Sequence, residues 1–348
     1  ICKGWKKFAF VGKMTAFSFT APCITEEQEQ KERDELSEEE RKAIEADLFG
    51  THQNLVESPE MVEEAVAQFH QAVDNLPMDD KAVYLESLEK CSPRTIEIES
   101  SPVRFLRAVD YNPELAAKRI ALYWSTRKEI FQDRAFLPMR LEGGCLNEDE
   151  VQFISESWRN ALFLLPHDAH GRAVMYKDKR RNIFSSVSRE GFLRVYWYLV
   201  HVALTDESVQ FRGFVMINNA HLATSLKQFD RVYMRMQYNS VRNCLPIKVR
   251  GIHTCHVPSL MAFFFPVLKF IMGRDGRLRH RVHSETPIIT SLEQYGLHKE
   301  VVPTLLSGNY KYDGPTFLTR RRKIEAELYK LDETVPPPEQ QPEQPETK

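Results

Sequence analysis

Apolar positions along this chain change their spacing twice. From Ser58 to Phe131 they recur every three to four residues, as on amphipathic helices. Ser58-Pro59 opens one helix, with Val62, Ala65, Val66, Phe69, Val73 and Leu76 on its apolar stripe and Pro77 at its end. Asp79 to Lys90 reads as a short helix. Asn112-Pro113-Glu114 caps a longer one that runs to about Phe131, with Ala116, Ile120, Trp124 and Phe131 on one face. From Val151 to Leu165 the pattern is helical or mixed. Beyond it, short apolar runs alternate with helical stripes. Gly171–Asp178, Gly213–Asn218, Lys248–His256 and Arg281–His283 predict strands, the second so apolar that both of its faces must be buried. Phe192–Leu204 and Leu226–Asn243 predict helices between them, and Leu292–Tyr295 a single turn. This order argues an α/β fold with a helix-covered sheet.

The stretch Ser259–Gly273 departs from every one of these periods. It is apolar on nearly all sides, so one buried face does not account for it. Pro266 and Lys269 interrupt it, and it falls short of the roughly 20 apolar residues needed to span a bilayer. Exposing such side chains costs roughly 1.5–3 kcal/mol each, so something apolar has to cover both sides. Ser259 is a suitable cap and Gly273 a suitable end. Pro266 removes an amide donor and crowds the Ala262 carbonyl, which predicts a kink there. Arg274, Arg277, Arg279 and Arg281 follow directly. An apolar helix with a cationic end suits a surface that meets lipid; the competing reading is a core helix followed by a solvated basic loop.

Charge changes the picture locally rather than globally. The net charge of −2 conceals an acidic segment from Glu26 to Asp47 and basic clusters at Arg274–Arg281 and Arg320–Lys323. The acidic segment reads as a solvated helical extension, with Ser37 and Glu40 forming a capping box. The six cysteines are dispersed and form no CxxC pair, as expected of reduced thiols, and His253, Cys255 and His256 do not make a metal set. The chain lacks GxSxG, Walker, HExxH and GxGxxG signatures, so neither catalysis nor a cofactor is predicted. Its basic clusters lack the aromatic interleaving of a nucleic-acid platform. Residues 1–25 read as a disordered or non-native leader, with Met14 a plausible start, and the Pro/Gln/Glu-rich end after Pro336 as a disordered tail.

Several stretches together resemble the CRAL-TRIO lipid-binding domain family, which includes phosphatidylinositol-transfer, tocopherol-transfer and retinaldehyde-binding proteins. They are Arg104-Phe-Leu-Arg-Ala108, Trp124 to Lys128, Gly171-Arg172 and its strand, Gly213 and its strand, Leu245-Pro246, the apolar helix before Lys269, and Val302-Pro303 ahead of Gly308. The resemblance implies a helical module over residues 99–140 and a lipid-binding domain over 141–312. An acidic extension (26–98) would precede them, and a basic helix with a tail (313–348) would follow. It further implies a mixed sheet enclosing an apolar cavity, with 259–273 as a mobile gate helix. Ala173, Asn218 and Ser307 depart from the usual proline, aspartate and glycine. Lys269 matches the gate lysine of phosphoinositide-binding members, whereas Met236 stands where their glutamate is expected.

The expected function is binding of one hydrophobic ligand and its exchange with an anionic membrane surface by a cytoplasmic, peripherally associated protein. Burying a 16-carbon chain is worth about 12 kcal/mol, so such a carrier needs a pocket and a docked open state rather than bond chemistry. The candidate lining is Tyr176, Tyr196, Leu199, Val215, Ile217, Phe229, Phe263, Val267 and Ile271. The candidate headgroup or membrane contacts are Phe264, Lys269, Arg274, Arg277, Arg279 and Arg281. The alternatives are a lipid-sensing scaffold whose ligand controls a protein partner and, more remotely, a lipid hydrolase.

Overall fold

A computed structural model describes residues 22–53, 55–156, 161–179, 187–221, 230–259 and 264–330. Two acidic helices come first, α1 (Glu26–Asp34) and α2 (Glu38–Phe49), each opened by a capping box, at Thr25/Gln28 and Ser37/Glu40. A helical module follows: α3 (Pro59–Asp74), α4 (Met78–Lys90), α5 (Pro93–Ser100), α6 (Pro102–Ala108) and α7 (Pro113–Phe131). Its apolar stripes meet around Phe69, Phe105, Tyr123 and Trp124, all fully buried. The segment read as helical or mixed divides into α8 (Glu148–Ser155) and β1 (Leu162–Leu165).

A five-stranded sheet carries the second half, in the order β1, β2 (Ala173–Asp178), β3 (Phe214–Asn219), β4 (Val249–Cys255), β5 (His280–His283). β1 is antiparallel to β2 and every other pairing is parallel. Parallel neighbours need crossovers, and the intervening helices supply them: α9 (Arg189–Leu204), α10 (Glu207–Arg212), α11 (Arg231–Asn239) and α12 (Phe265–Leu278). Every residue of β2 and β3 is buried, as their near-continuous apolar runs require. One sheet face, with Met175, Met216 and Ile252, joins the core under α9, α11 and α12. The other face, with Val174, Tyr176, Val215, Ile217 and Cys255, packs against α13 (Ile288–Glu293) and the Val301–Leu306 stretch.

Two extensions are more integrated than their composition suggested. The C-terminal α14 (Gly314–Leu328) is a packed element rather than an appended basic helix. Its buried Glu325 accepts hydrogen bonds from the Tyr198 hydroxyl (2.6 Å) and the Leu141 amide (2.8 Å). Just beyond it, the Tyr329 hydroxyl donates to Glu99 (2.6 Å), which also holds the fully buried Arg127 of α7.

The acidic extension is likewise docked rather than solvated. Arg172 is fully buried. It donates to Asp168 (2.6 Å), to the Asp47 and Leu48 carbonyls (2.6 and 3.1 Å) and to the Tyr295 carbonyl (2.6 Å), stapling the end of α2 to the start of β2. Ile44 and Leu48 pack on Leu278 beside it. Replacing Arg172 with methionine strands the buried Asp168 carboxylate and three carbonyls. Urea unfolding of the full chain is expected to show a loss of about 3–5 kcal/mol. A loss below about 1 kcal/mol, the size of an exposed ion pair, would show that the staple is not structural.

Candidate functional site

The helix α12 lies across the sheet, and its sequence explains how it sits. Val267, Leu268, Ile271 and Met272 face inward and are buried in the same core as Tyr196 and Leu199 of α9. Phe270, at the remaining apolar position, points outward and is 46% exposed. The expected kink at Pro266 is absent. Pro266 occupies the first turn of α12, where an amide has no intrahelical acceptor and its loss costs nothing. The irregularity falls instead at Gly273, whose φ of 75° is left-handed and suits glycine. A Cβ there would meet the Arg242 side chain at 2.8 Å. Ser259 is described, but 260–263 lie outside the described residues, as do the candidates Phe229 and Phe263.

The sheet contributes different residues from those expected. Tyr176, Val215 and Ile217 belong to the opposite face, in the core under α13, and do not line the space beneath α12. Side chains alternate along a strand, so misassigning the parity of β2 and β3 by one residue sends three candidates to the wrong layer. The face toward α9, α11 and α12 carries a polar band in its place. Lys177, Asn218 and Thr254 stand side by side across β2, β3 and β4. The Thr254 hydroxyl lies 2.9 Å from Nε2 of His280, and all four residues are buried. Lys177 Nζ donates to Gln237 of α11 (3.2 Å) and sits 4.1 Å from the centre of the Tyr233 ring.

Lys179 lies just past the end of β2, close enough for its charge to act on Lys177, and its side chain has no hydrogen-bond or carboxylate partner among the described residues. Burial pulls the Lys177 ammonium well below the usual lysine range, with the Lys179 charge adding to the effect, and lowers Lys179 to about 8. Burial, Lys269 and Lys179 together hold His280 down to about 3.

On the outer side, α11 and α12 frame an apolar groove of about 360 Å³, lined by Pro22, Val232, Met236, Val267, Phe270 and Ile271, with Arg231 and Arg235 at its rim. Met236 therefore does face α12, but as an apolar wall. Lys269 takes its carboxylate from another element, Glu29 of α1.

The remaining cations of the basic cluster are similarly engaged. Arg277 pairs with Glu32 and donates to the Lys269 carbonyl (2.9 Å); Arg279 pairs with Asp47 (2.7 Å); Arg274 reaches Glu40 (3.5 Å) at the surface. Arg281 donates to the Leu278 and His280 carbonyls (3.0 and 2.9 Å). Burial raises the Glu29 carboxyl, but hydrogen bonds from Lys269 and Arg33 more than offset that and keep it below its ordinary value. The backbone joins this contact through the Ile24 amide and the Pro266 carbonyl (3.1 Å).

Phe264 is only 8% exposed and belongs to the core, so Phe270 replaces it as the aromatic residue available at this surface. Sequence reasoning passed over Phe270, Lys177, Lys179, Glu29 and Glu32. Lys177 carried a usable signal, since a cation in a strand buried on both faces is out of place. The glutamates carried none, because nothing in a solvated-looking acidic helix names its partner.

No helix among the described residues is long and apolar enough to cross a membrane. The solved structure of Sfh5 is similar at 13% identity with a TM-score of 0.45, covering 74% of this chain and 98% of that one. Residues 171–313 match the family model of the divergent CRAL/TRIO domain. That span takes in all five strands except β1, together with α9 to α13, and over it the chain is similar to the divergent CRAL/TRIO domain.

Proposed function

We propose that this protein holds one amphiphilic lipid between the sheet and α12, and exchanges it at an anionic membrane surface with α12 moving as a gate. The observation that carries this reading is the condition of α12. Its inner side is apolar, its Val267 and Ile271 also reach the edge of an outer groove where Phe270 is exposed, and its cations are neutralised by a segment of the same chain. An ordinary core helix has no use for the second apolar side.

The acidic helices α1 and α2 act in this scheme as a latch. Glu29 and Glu32 hold Lys269 and Arg277 in partly buried pairs, and an anionic bilayer offers the same cations an alternative partner. Opening exchanges one set of ion pairs for the other, so the electrostatic cost of docking is small. Gly273, which interrupts α12 between its apolar and basic halves, is the natural hinge. Polar atoms on the sheet face would orient the ligand, while Tyr196, Leu199, Val267 and Ile271 surround its hydrocarbon part.

Replacing Glu29 and Glu32 with glutamine frees two cations, worth roughly 1 kcal/mol each near an anionic surface. Sedimentation with phosphatidylserine-containing vesicles is expected to rise about 10- to 30-fold and to fall back as salt is added. Unchanged sedimentation would mean that the acidic helices do not restrain docking. Phe270→Asp places a charge on the outer groove. It is expected to slow vesicle-to-vesicle transfer of the co-purified lipid several-fold while leaving thermal unfolding unaltered; transfer at the wild-type rate would remove the groove from the exchange route. Native extraction followed by lipid mass spectrometry tests the occupant directly, and a chain repeatedly recovered without lipid would count against the carrier.

A further inference from the structure

We propose that the ammonium groups of Lys177 and Lys179 receive the acidic head of the carried amphiphile, a carboxylate or a phosphate, which comes to rest on the sheet beneath α11 and α12. This inference rests on the carrier reading above and assigns its ligand class.

Lys177 interrupts a strand that is otherwise made for burial, and Lys179 follows directly after its end. On the same face of β2, Ala173 and Met175 are apolar and buried, the alternation then places Lys177 there, and Lys179 follows in the turn, still bonded through its amide to the Asn219 carbonyl of β3. Each keeps only 7% of its surface exposed. Four other deeply buried cations face a carboxylate: Arg127 has Glu99, Arg172 has Asp168, Arg321 has Glu325 and Arg277 has Glu32, whereas Arg104, 8% exposed, forms no ion pair among the described residues. The lysines have none among the described residues. Lys177 meets an amide oxygen and the faces of Tyr233 and Phe192 (4.1 and 5.3 Å), which orient an ammonium without neutralising it. Lys179 has no polar side-chain partner among the described residues. Asp230, the acid that acts on Lys177 from α11, is already bound to Arg189 at 2.7 Å. Two buried positive charges without a counter-ion are costly, and an anion delivered between them removes that cost.

The surroundings suit an amphiphile better than a bare anion. Asn218 and Thr254 extend the polar band across the sheet, while Leu199, Val267 and Ile271 offer only hydrocarbon above it. Access is short. On α11, Val232 and Met236 face the outer groove, and the next residue in each case, Tyr233 and Gln237, faces Lys177. One helix separates the groove from the lysines.

The experiment uses the full chain and compares oleate and oleyl phosphate with oleyl alcohol, which shares their tail and lacks the charge. The acids are expected to bind the wild type about 10- to 100-fold more tightly than the alcohol, the margin of a desolvated charge-assisted contact. The Lys177→Met/Lys179→Met variant is expected to lose that margin and still bind oleyl alcohol as the wild type does. Equal affinity of the wild type for acid and alcohol overturns the head-group assignment and leaves the carrier standing. If the wild type binds none of the three and no lipid is found in the native extract, the carrier reading falls and takes this inference with it. Excess inorganic phosphate is expected not to displace oleate; displacement would assign the lysines to a soluble anion and overturn the lipid assignment. The wild-type comparison decides the matter even if the double variant does not fold.

Discussion

Asp47 joins the acidic N-terminal helices to the sheet. Its carboxylate, 5% exposed, lies between the guanidinium groups of Arg250 and Arg279, while its carbonyl accepts from Arg172. A carboxylate this buried is tolerable only when paired; Arg250 of β4 and Arg279, just ahead of β5, reach the carboxylate, and Arg172, just ahead of β2, reaches the carbonyl. The end of α2 is thereby held against three parts of the domain at once. Once α2 is fixed, α1 has little freedom, and its acidic side comes to lie along α12. The ion pairs that α1 makes with α12 are therefore a consequence of how α2 is anchored, as much as of the attraction between individual charges.

That distinction matters for how firmly α12 is held. Arg274 and Glu40 are both near half exposed, and such a pair adds little in salt. Lys269–Glu29 and Arg277–Glu32 are better shielded, yet each keeps one partner more than a fifth exposed. Pairs of this kind restrain without locking. The proposed gate would need this balance: strong enough to cover apolar surface in water, weak enough for a charged bilayer to compete. The same lysine that resembles a head-group ligand is turned toward α1, so its availability depends on the N-terminal helices.

The floor beneath α12 is the second departure from a simple greasy hollow. It is a mixed surface on which Met175, Met216 and Ile252 alternate with Lys177, Asn218 and Thr254 along their strands. The alternation is layered, with apolar residues toward the start of the parallel strands and polar ones toward their carboxyl ends. Ligands in open parallel sheets tend to meet that end. An amphiphile with its head on the polar level and its tail among the side chains of α9 and α12 matches both halves of the floor.

Helix and strand positions were largely legible in the sequence because they depend on local period. Phe69 and Val73 on α3, Trp124 on α7, and the unbroken apolar run of β3 each announce their element through near neighbours in the chain. The apolar and cationic halves of α12 were equally plain. Which face of β2 and β3 meets which layer was not, since a strand buried on both sides gives no contrast between odd and even positions. Nor could the partners of Lys269 and Arg277 be read, because Glu29 and Glu32 lie some 240 residues away. Composition alone made their helix look solvated. The sequence by itself determined that apolar surface and positive charge would share one helix; only the tertiary structure decided that an acidic helix would cover that charge, because long-range ion pairing is set by where the chain folds back and not by any local pattern.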